Sequence, residues 1–206
     1  MITNFKLYEN FSTFIRHYND NNLVEFEKQI LEEPEIILYE WNNKTLMVHI
    51  INDAKYEILN ILLKHNKISD NMILEVIYED ARYVLQKLIK YGRIDMNYVI
   101  NDKSLLQYDI YSFEIFRYLI ENGADLYHED EDGDDIMDYK LGKARASIDA
   151  VIRLLNVDYD VDRFCKKFVE KRLSLTITNI EYEIKEKLPE IYSVLTKYKK
   201  ASDFNL

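Results

Sequence analysis

The sequence predicts an all-α chain: an α-solenoid of about five helix pairs over residues 1–162, closed by a C-terminal helical cap over residues 163–206. Three observations lead there. Aliphatic pairs recur at Ile30-Leu31, Leu62-Leu63, Leu88-Ile89, Leu119-Ile120 and Leu154-Leu155, at spacings of 32, 26, 31 and 35 residues, and self-similarity at such a period marks a repeat array. Each pair ends a segment whose apolar residues fall at i, i+3 and i+4, the stripe of a helix packed on one side. Only 2 Pro and 4 Gly punctuate a chain holding 17 Tyr and 9 Phe, which removes the turn-rich all-β, collagen-like and low-complexity classes. With 48% hydrophobic residues in 206, a sizeable core can form and disorder is excluded.

The units follow in order. Phe11 to Tyr18 precedes a helix carrying Leu23, Phe26, Ile30 and Leu31; Leu46 to Ile51 precedes Ile58, Ile61 and Leu62; Met72 to Tyr78 precedes Val84, Leu85, Leu88 and Ile89. Leu105 to Ile110 precedes Ile115, Phe116, Leu119 and Ile120, and Ile136 to Leu141 precedes Ile148, Val151, Ile152 and Leu155. Such short helices are marginal alone, since an isolated helix needs about 12 to 15 residues in water. Stacking of neighbouring pairs must supply the stability. The 26-residue step leaves only Lys67 to Asn71 between the second and third units, so two helices meet there almost directly, and Ser69-Asp70-Asn71 reads as a turn and helix N-cap. The period stops near Asp158 to Asp162. Beyond it Phe164 and Phe168, then Ile180, Ile184, Leu188 and Ile191, keep helical spacing towards Leu195, as helices covering the last unit, with the Lys and Glu of 181–187 as a polar outer face.

Gly123-Ala124-Asp125-Leu126-Tyr127, following Tyr118-Leu119-Ile120-Glu121-Asn122, resembles the close of an ankyrin repeat, where a left-handed glycine ends the second helix without a Cβ clash. Gly92 to Asn97 is similar, and Lys44-Thr45-Leu46-Met47 with Tyr56 to Lys64 resembles the entry and second helix of another unit. The resemblance covers most of residues 11–157. The copies depart from the family in lacking the proline of Thr-Pro-Leu-His, which survives as Lys44-Thr45-Leu46 and Lys103-Ser104-Leu105, and in placing Ala54 where the family has glycine between helices. The resemblance implies protein binding through finger tips and a concave face of first helices. On that register the tips are Tyr39 to Asn43, Tyr98 to Lys103 and Tyr127 to Asp134, while Tyr78, Tyr108 and Tyr111 lie on the concave side. Leu188-Pro189-Glu190-Ile191 resembles the start of an F-box, a module of some viral ankyrin adaptors, so an adaptor or passive scaffold is one alternative.

Charge narrows the partner. Residues 163–206 carry ten Lys and Arg against six Asp and Glu, leaving 17 against 31 in residues 1–162. The acidic body argues against a nucleic-acid surface and for another protein, possibly basic in character. No stretch reaches the roughly 18 apolar residues a membrane helix needs. A single cysteine, Cys165, and a start without signal-peptide features imply a reduced, cytoplasmic setting.

The candidate partner-binding residues are Tyr39, Trp41, Tyr78, Tyr98, Tyr108, Tyr111 and Tyr127, with Asp130, Asp132, Asp134 and Asp135 steering a basic partner. Trp41, the only tryptophan, sits between Glu40 and Asn42 and is either an anchor or the cover of an apolar gap. An EF-hand register on the acidic run puts His128 at the first position and Tyr139 at the twelfth, where calcium requires oxygen ligands and a bidentate Glu; a calcium-dependent module is the second alternative. Catalytic chemistry has no foothold. His17, His49, His65 and His128 lack paired spacing, four scattered glycines make no phosphate loop, and Ser69-Asp70-Asn71 has no Ser-x-x-Lys companion. Cys165 has Lys166 and Lys167 beside it, yet Phe164 and Phe168 place it on a half-buried face. The reading is a non-enzymatic inhibitor or sequestering module without cofactor or metal, for which a rigid complementary surface suffices.

Overall fold

The computed structural model describes residues 2–108, 113–142, 148–157, 159–170 and 175–203, and most of them are helical. The helices are α1 (Ile2–Asn19), α2 (Leu23–Glu32), α3 (Leu46–Asn52), α4 (Tyr56–Lys64), α5 (Asp70–Tyr78), α6 (Arg82–Lys90), α7 (Phe113–Glu121), α8 (Ile136–Gly142), α9 (Ile148–Asn156), α10 (Val161–Glu170), α11 (Leu175–Lys187) and α12 (Pro189–Asp203). Short 3-10 turns occupy Pro34–Leu38 and Leu105–Gln107, and β1 (Val99–Ile100) pairs antiparallel with β2 (Lys103–Ser104). No described helix is long and apolar enough to cross a membrane.

One backbone device ends six of these helices. Asn21, Ala54, Asn66, Asp80, Gly92 and Gly123 all have positive φ. The N–H after each returns five residues: Asn22 to His17, Lys55 to Ile50, Lys67 to Leu62, Ala81 to Val76, Arg93 to Leu88 and Ala124 to Leu119, at 2.8–3.1 Å. This is the six-to-one bond of the Schellman motif. Leu62, Leu88 and Leu119 supply the carbonyl, and all three are buried, so the aliphatic pairs read from the sequence are the last buried turn before each stop. Asn and Asp enter the left-handed region readily, which is how a chain with four glycines makes so many such turns. Helix starts are equally local: Thr45 Oγ1 accepts from the Val48 N–H and Ser69 Oγ from that of Met72, both at 3.4 Å.

The chain divides into two compact units. The first comprises Met1–Asp95 with Ile110–Tyr118. In it α1 packs on α2, α2 on α4, α3 on both α4 and α5, and α5 on α6. First helices α3 and α5 thus lie together, as do second helices α2 and α4. Arg93 ties one turn to the preceding one, its guanidinium bonding Asn66 Oδ1 at 2.8 Å and the Leu63 carbonyl. The second unit comprises Met96–Asp109 with Leu119–Leu206. There α8 packs on α9, α10 lies on α8 and α11 on α9, with α12 against both α10 and α11. α10 also runs through the expected boundary at 162/163.

Two expectations are corrected. Leu31 of the first aliphatic pair is half exposed, because Pro34 follows and Glu33 ends α2 through an ordinary bond to the Gln29 carbonyl, without a left-handed turn. The first helix of the fourth unit is, among the described residues, only the turn Leu105–Gln107, held by reciprocal Ser104 and Gln107 capping. The mostly helical chain agrees with the all-α expectation, and its one short hairpin among the described residues, β1 with β2, turns through Asn101 and Asp102, both left-handed.

Candidate interaction surface

The first finger closes like the second. Asn42 and Asn43 have positive φ, and Trp41 and Lys44 exchange backbone bonds of 3.0 and 3.1 Å. This turn sends Trp41 inward, leaving it 9% exposed. Its ring stacks on His49 at 3.9 Å and 5°, with Tyr18 edge-on at 5.3 Å and Phe11 and Phe14 at 6.2 Å. The His49 Nε2–H donates to the Trp41 carbonyl at 2.9 Å. Trp41 is therefore a core residue of the first unit, and the anchor reading is corrected. Neighbouring Tyr39 stays partly exposed, its ring edge against Phe11 at 5.4 Å. Tyr78, ending α5, is about half exposed.

The acidic run is mostly internal wiring. Asp135 is 0% exposed and caps α8: its Oδ1 accepts from the N–H of Met137 at 2.8 Å and of Asp138 at 3.3 Å, while Asp138 Oδ2 accepts from the Asp135 N–H at 3.0 Å. Asp135 Oδ2 accepts from the Tyr159 hydroxyl at 2.7 Å and Arg163 Nε at 2.8 Å, with Lys167 Nζ at 3.5 Å. Burial, then this bond to Asp135, pushes the Tyr159 hydroxyl pKa far up. Asp130 is also buried. Its Oδ1 accepts from the N–H of Asp132 at 3.1 Å and of Asp134 at 3.0 Å, and its Oδ2 from the Tyr139 hydroxyl at 2.6 Å. The Tyr139 bond chiefly holds its carboxyl below the usual range. Asp130 and Asp135 are thus corrected as steering charges. Asp132 is exposed and Asp134 half-buried. No group of three or more His, Cys, Asp or Glu among the described residues is arranged to hold a metal ion.

The remaining tyrosines divide between tether and surface. The Tyr108 hydroxyl donates to the Ile100 carbonyl at 2.6 Å, fixing the hairpin, and Tyr98 is half-buried. The Tyr127 hydroxyl accepts from the Asp160 N–H at 2.9 Å, its ring lies 5.2 Å from Tyr159, and Arg163 sits over it at 5.4 Å. Tyr127 therefore joins the Asp135 network while keeping one face open. Tyr111 lies outside the described residues. Cys165 is fully buried and its thiol is pushed up to about 12, mainly by burial, so no thiolate nucleophile forms near neutrality.

No protein family, curated protein or solved structure matches this chain. Its surface must be read from its own residues. One depression, of about 360 Å³, was not anticipated: Glu32, Glu33, Pro34, Glu35, Ile36 and Tyr39 line it in the first unit. The signal available in the sequence was Pro34 directly after two glutamates, which stops α2 and turns Leu31 and Leu38 outward. Leu38 is 64% exposed.

Proposed function

We propose that the chain is a non-enzymatic, ankyrin-like protein-binding module, an α-solenoid whose α12 caps the last pair, which inhibits or sequesters a basic protein. The observation carrying this reading is the order of packing and turns. In the first unit α3 lies on α5 and α2 on α4, and in the second α10 lies on α8 and α11 on α9. A tight turn at Trp41–Lys44 precedes the cap Thr45, one at Ile100–Lys103 precedes Ser104, and one at Asp130–Asp134 precedes Asp135. Such a frame holds surface side chains still before binding, which lowers the ordering cost of association. Partly exposed Tyr39, Tyr78 and Tyr127, with exposed Asp132, remain available to a partner.

The test is affinity capture from extract of the native host with the full chain immobilised. Support requires a stoichiometric protein that untagged chain competes away and whose own activity falls on binding. Capture with unchanged activity would favour the scaffold reading, and no competed protein at all would refute the module.

A further inference from the structure

We propose that the depression at residues 32–39 docks a lysine- or arginine-bearing amphipathic helix of the partner protein. This rests on the module reading above and gives it a location and a chemistry. Buried Ile36 lines the depression with exposed Pro34 and Tyr39, and exposed Glu32 and Glu35, with half-buried Glu33, give it an acidic rim. Asn10 Nδ2 donates to Glu33. Glu32 and Glu35 make no ion pair among the described residues. A cationic side chain of a partner would complement these carboxylates.

Leu31 and Leu38, next in the chain to the lining residues Glu32 and Tyr39, add exposed apolar side chains. Val24 and Leu31 are 75% and 50% exposed; seven residues apart on α2, they share one helical row. Leu38 extends the exposed apolar area beyond the turn. A basic helix with apolar residues at i, i+3 and i+4 matches this pattern of apolar row and acidic rim. The site is also rigid. Pro34 opens the 3-10 turn, buried Ile36 and Ile37 pin it, and Tyr39 is braced on Phe11, so little ordering is left for binding to impose.

The probe is a fluorescein-labelled amphipathic leucine–lysine helical peptide, titrated into the full chain by fluorescence anisotropy, with a leucine–glutamate peptide of the same pattern as control. Removing two exposed rim charges in Glu32→Gln/Glu35→Gln should weaken the Kd for the lysine peptide about tenfold. Leu38→Ser should weaken it as well. Glu186→Gln/Glu190→Gln, which removes the same charge from exposed positions of the second unit, should leave it unchanged, and the glutamate peptide should not bind. Equal weakening by both double variants would reduce the effect to net charge and overturn the proposal. So would an unaffected Glu32→Gln/Glu35→Gln chain, or self-association in sedimentation that this variant abolishes, which would make a second copy the occupant. If the variant captures the host protein as well as the unmodified chain does, the docking site fails while the module stands. If the unmodified chain captures nothing, the module itself fails.

Discussion

Asp135 offers the sharpest perturbation, because the sequence presents it as one acid among several and the structure makes it a hub. Its carboxylate is fully buried, caps α8, and holds the Tyr159 hydroxyl, Arg163 and Lys167. Asp135→Ala removes an N-cap, about 0.5–2 kcal/mol. It also strands the Tyr159 hydroxyl, about 1–3 kcal/mol for a buried group left unsatisfied. The loss to the cations is smaller than for a sealed pair, since Arg163 keeps Glu129 and Lys167 keeps Asp138. The total expected is about 3–4 kcal/mol. Asp135→Asn keeps the cap acceptor and should cost about 1–3 kcal/mol, whereas exposed Asp132→Asn should stay within about 0.5 kcal/mol. Urea unfolding followed by far-UV circular dichroism gives these values by linear extrapolation. The double variant Asp135→Ala/Tyr159→Phe should cost less than the sum of its parts, by at least about 0.5 kcal/mol. An Asp135→Ala loss below about 1 kcal/mol, or equal losses at 132 and 135, would refute the network.

Other perturbations separate core from surface. Trp41→Ala should destabilise by about 3–5 kcal/mol, the cost of emptying a buried aromatic site; a stable, fully folded variant in thermal unfolding would return Trp41 to the surface. Burial, together with Glu40 and Glu79 and against the Thr45 hydroxyl, raises the Glu75 carboxyl pKa. Its contribution to stability is therefore full below the unfolded-state value of about 4.3 and lost as pH rises through the raised one. Glu75→Gln should accordingly raise Tm at pH 7 and lose that advantage towards pH 4, and the opposite trend would contradict the assignment. Cys165, with its thiol pushed up to about 12, should react with Ellman's reagent at pH 8 only after denaturation. Rapid labelling of the native chain would show it exposed.

Six of the helices were legible because each of them carries its own stop. Leu62, Leu88 and Leu119 lie one turn before a left-handed residue, so burial and backbone direction coincide in a few adjacent positions. Two of the tight turns carry a local sign in Asn42-Asn43 and Asn101-Asp102, residue types that enter the left-handed region readily. Side-chain destinations were harder to read. Trp41 is flanked by Glu40 and Asn42, yet the left-handed turn that opens at Asn42 sends the indole inward, so polar neighbours say nothing about an inward residue. Asp135 looked solvated because its partners Tyr159 and Arg163 lie 24 and 28 residues away. A local clue did exist: Asp135 and Asp138 have the spacing of a capping box. Leu31 carried the apolar stripe one residue too far, since periodicity does not register the proline that ends the helix.

Amide hydrogen exchange of the full chain, alone and with the captured host protein, tests the central claim most directly. The account predicts added protection at residues 32–39 and across the neighbouring finger at 41–44, while the helices around Leu62 and Leu88, already buried, change little. A complex that leaves both segments exchanging as in the free chain would contradict it.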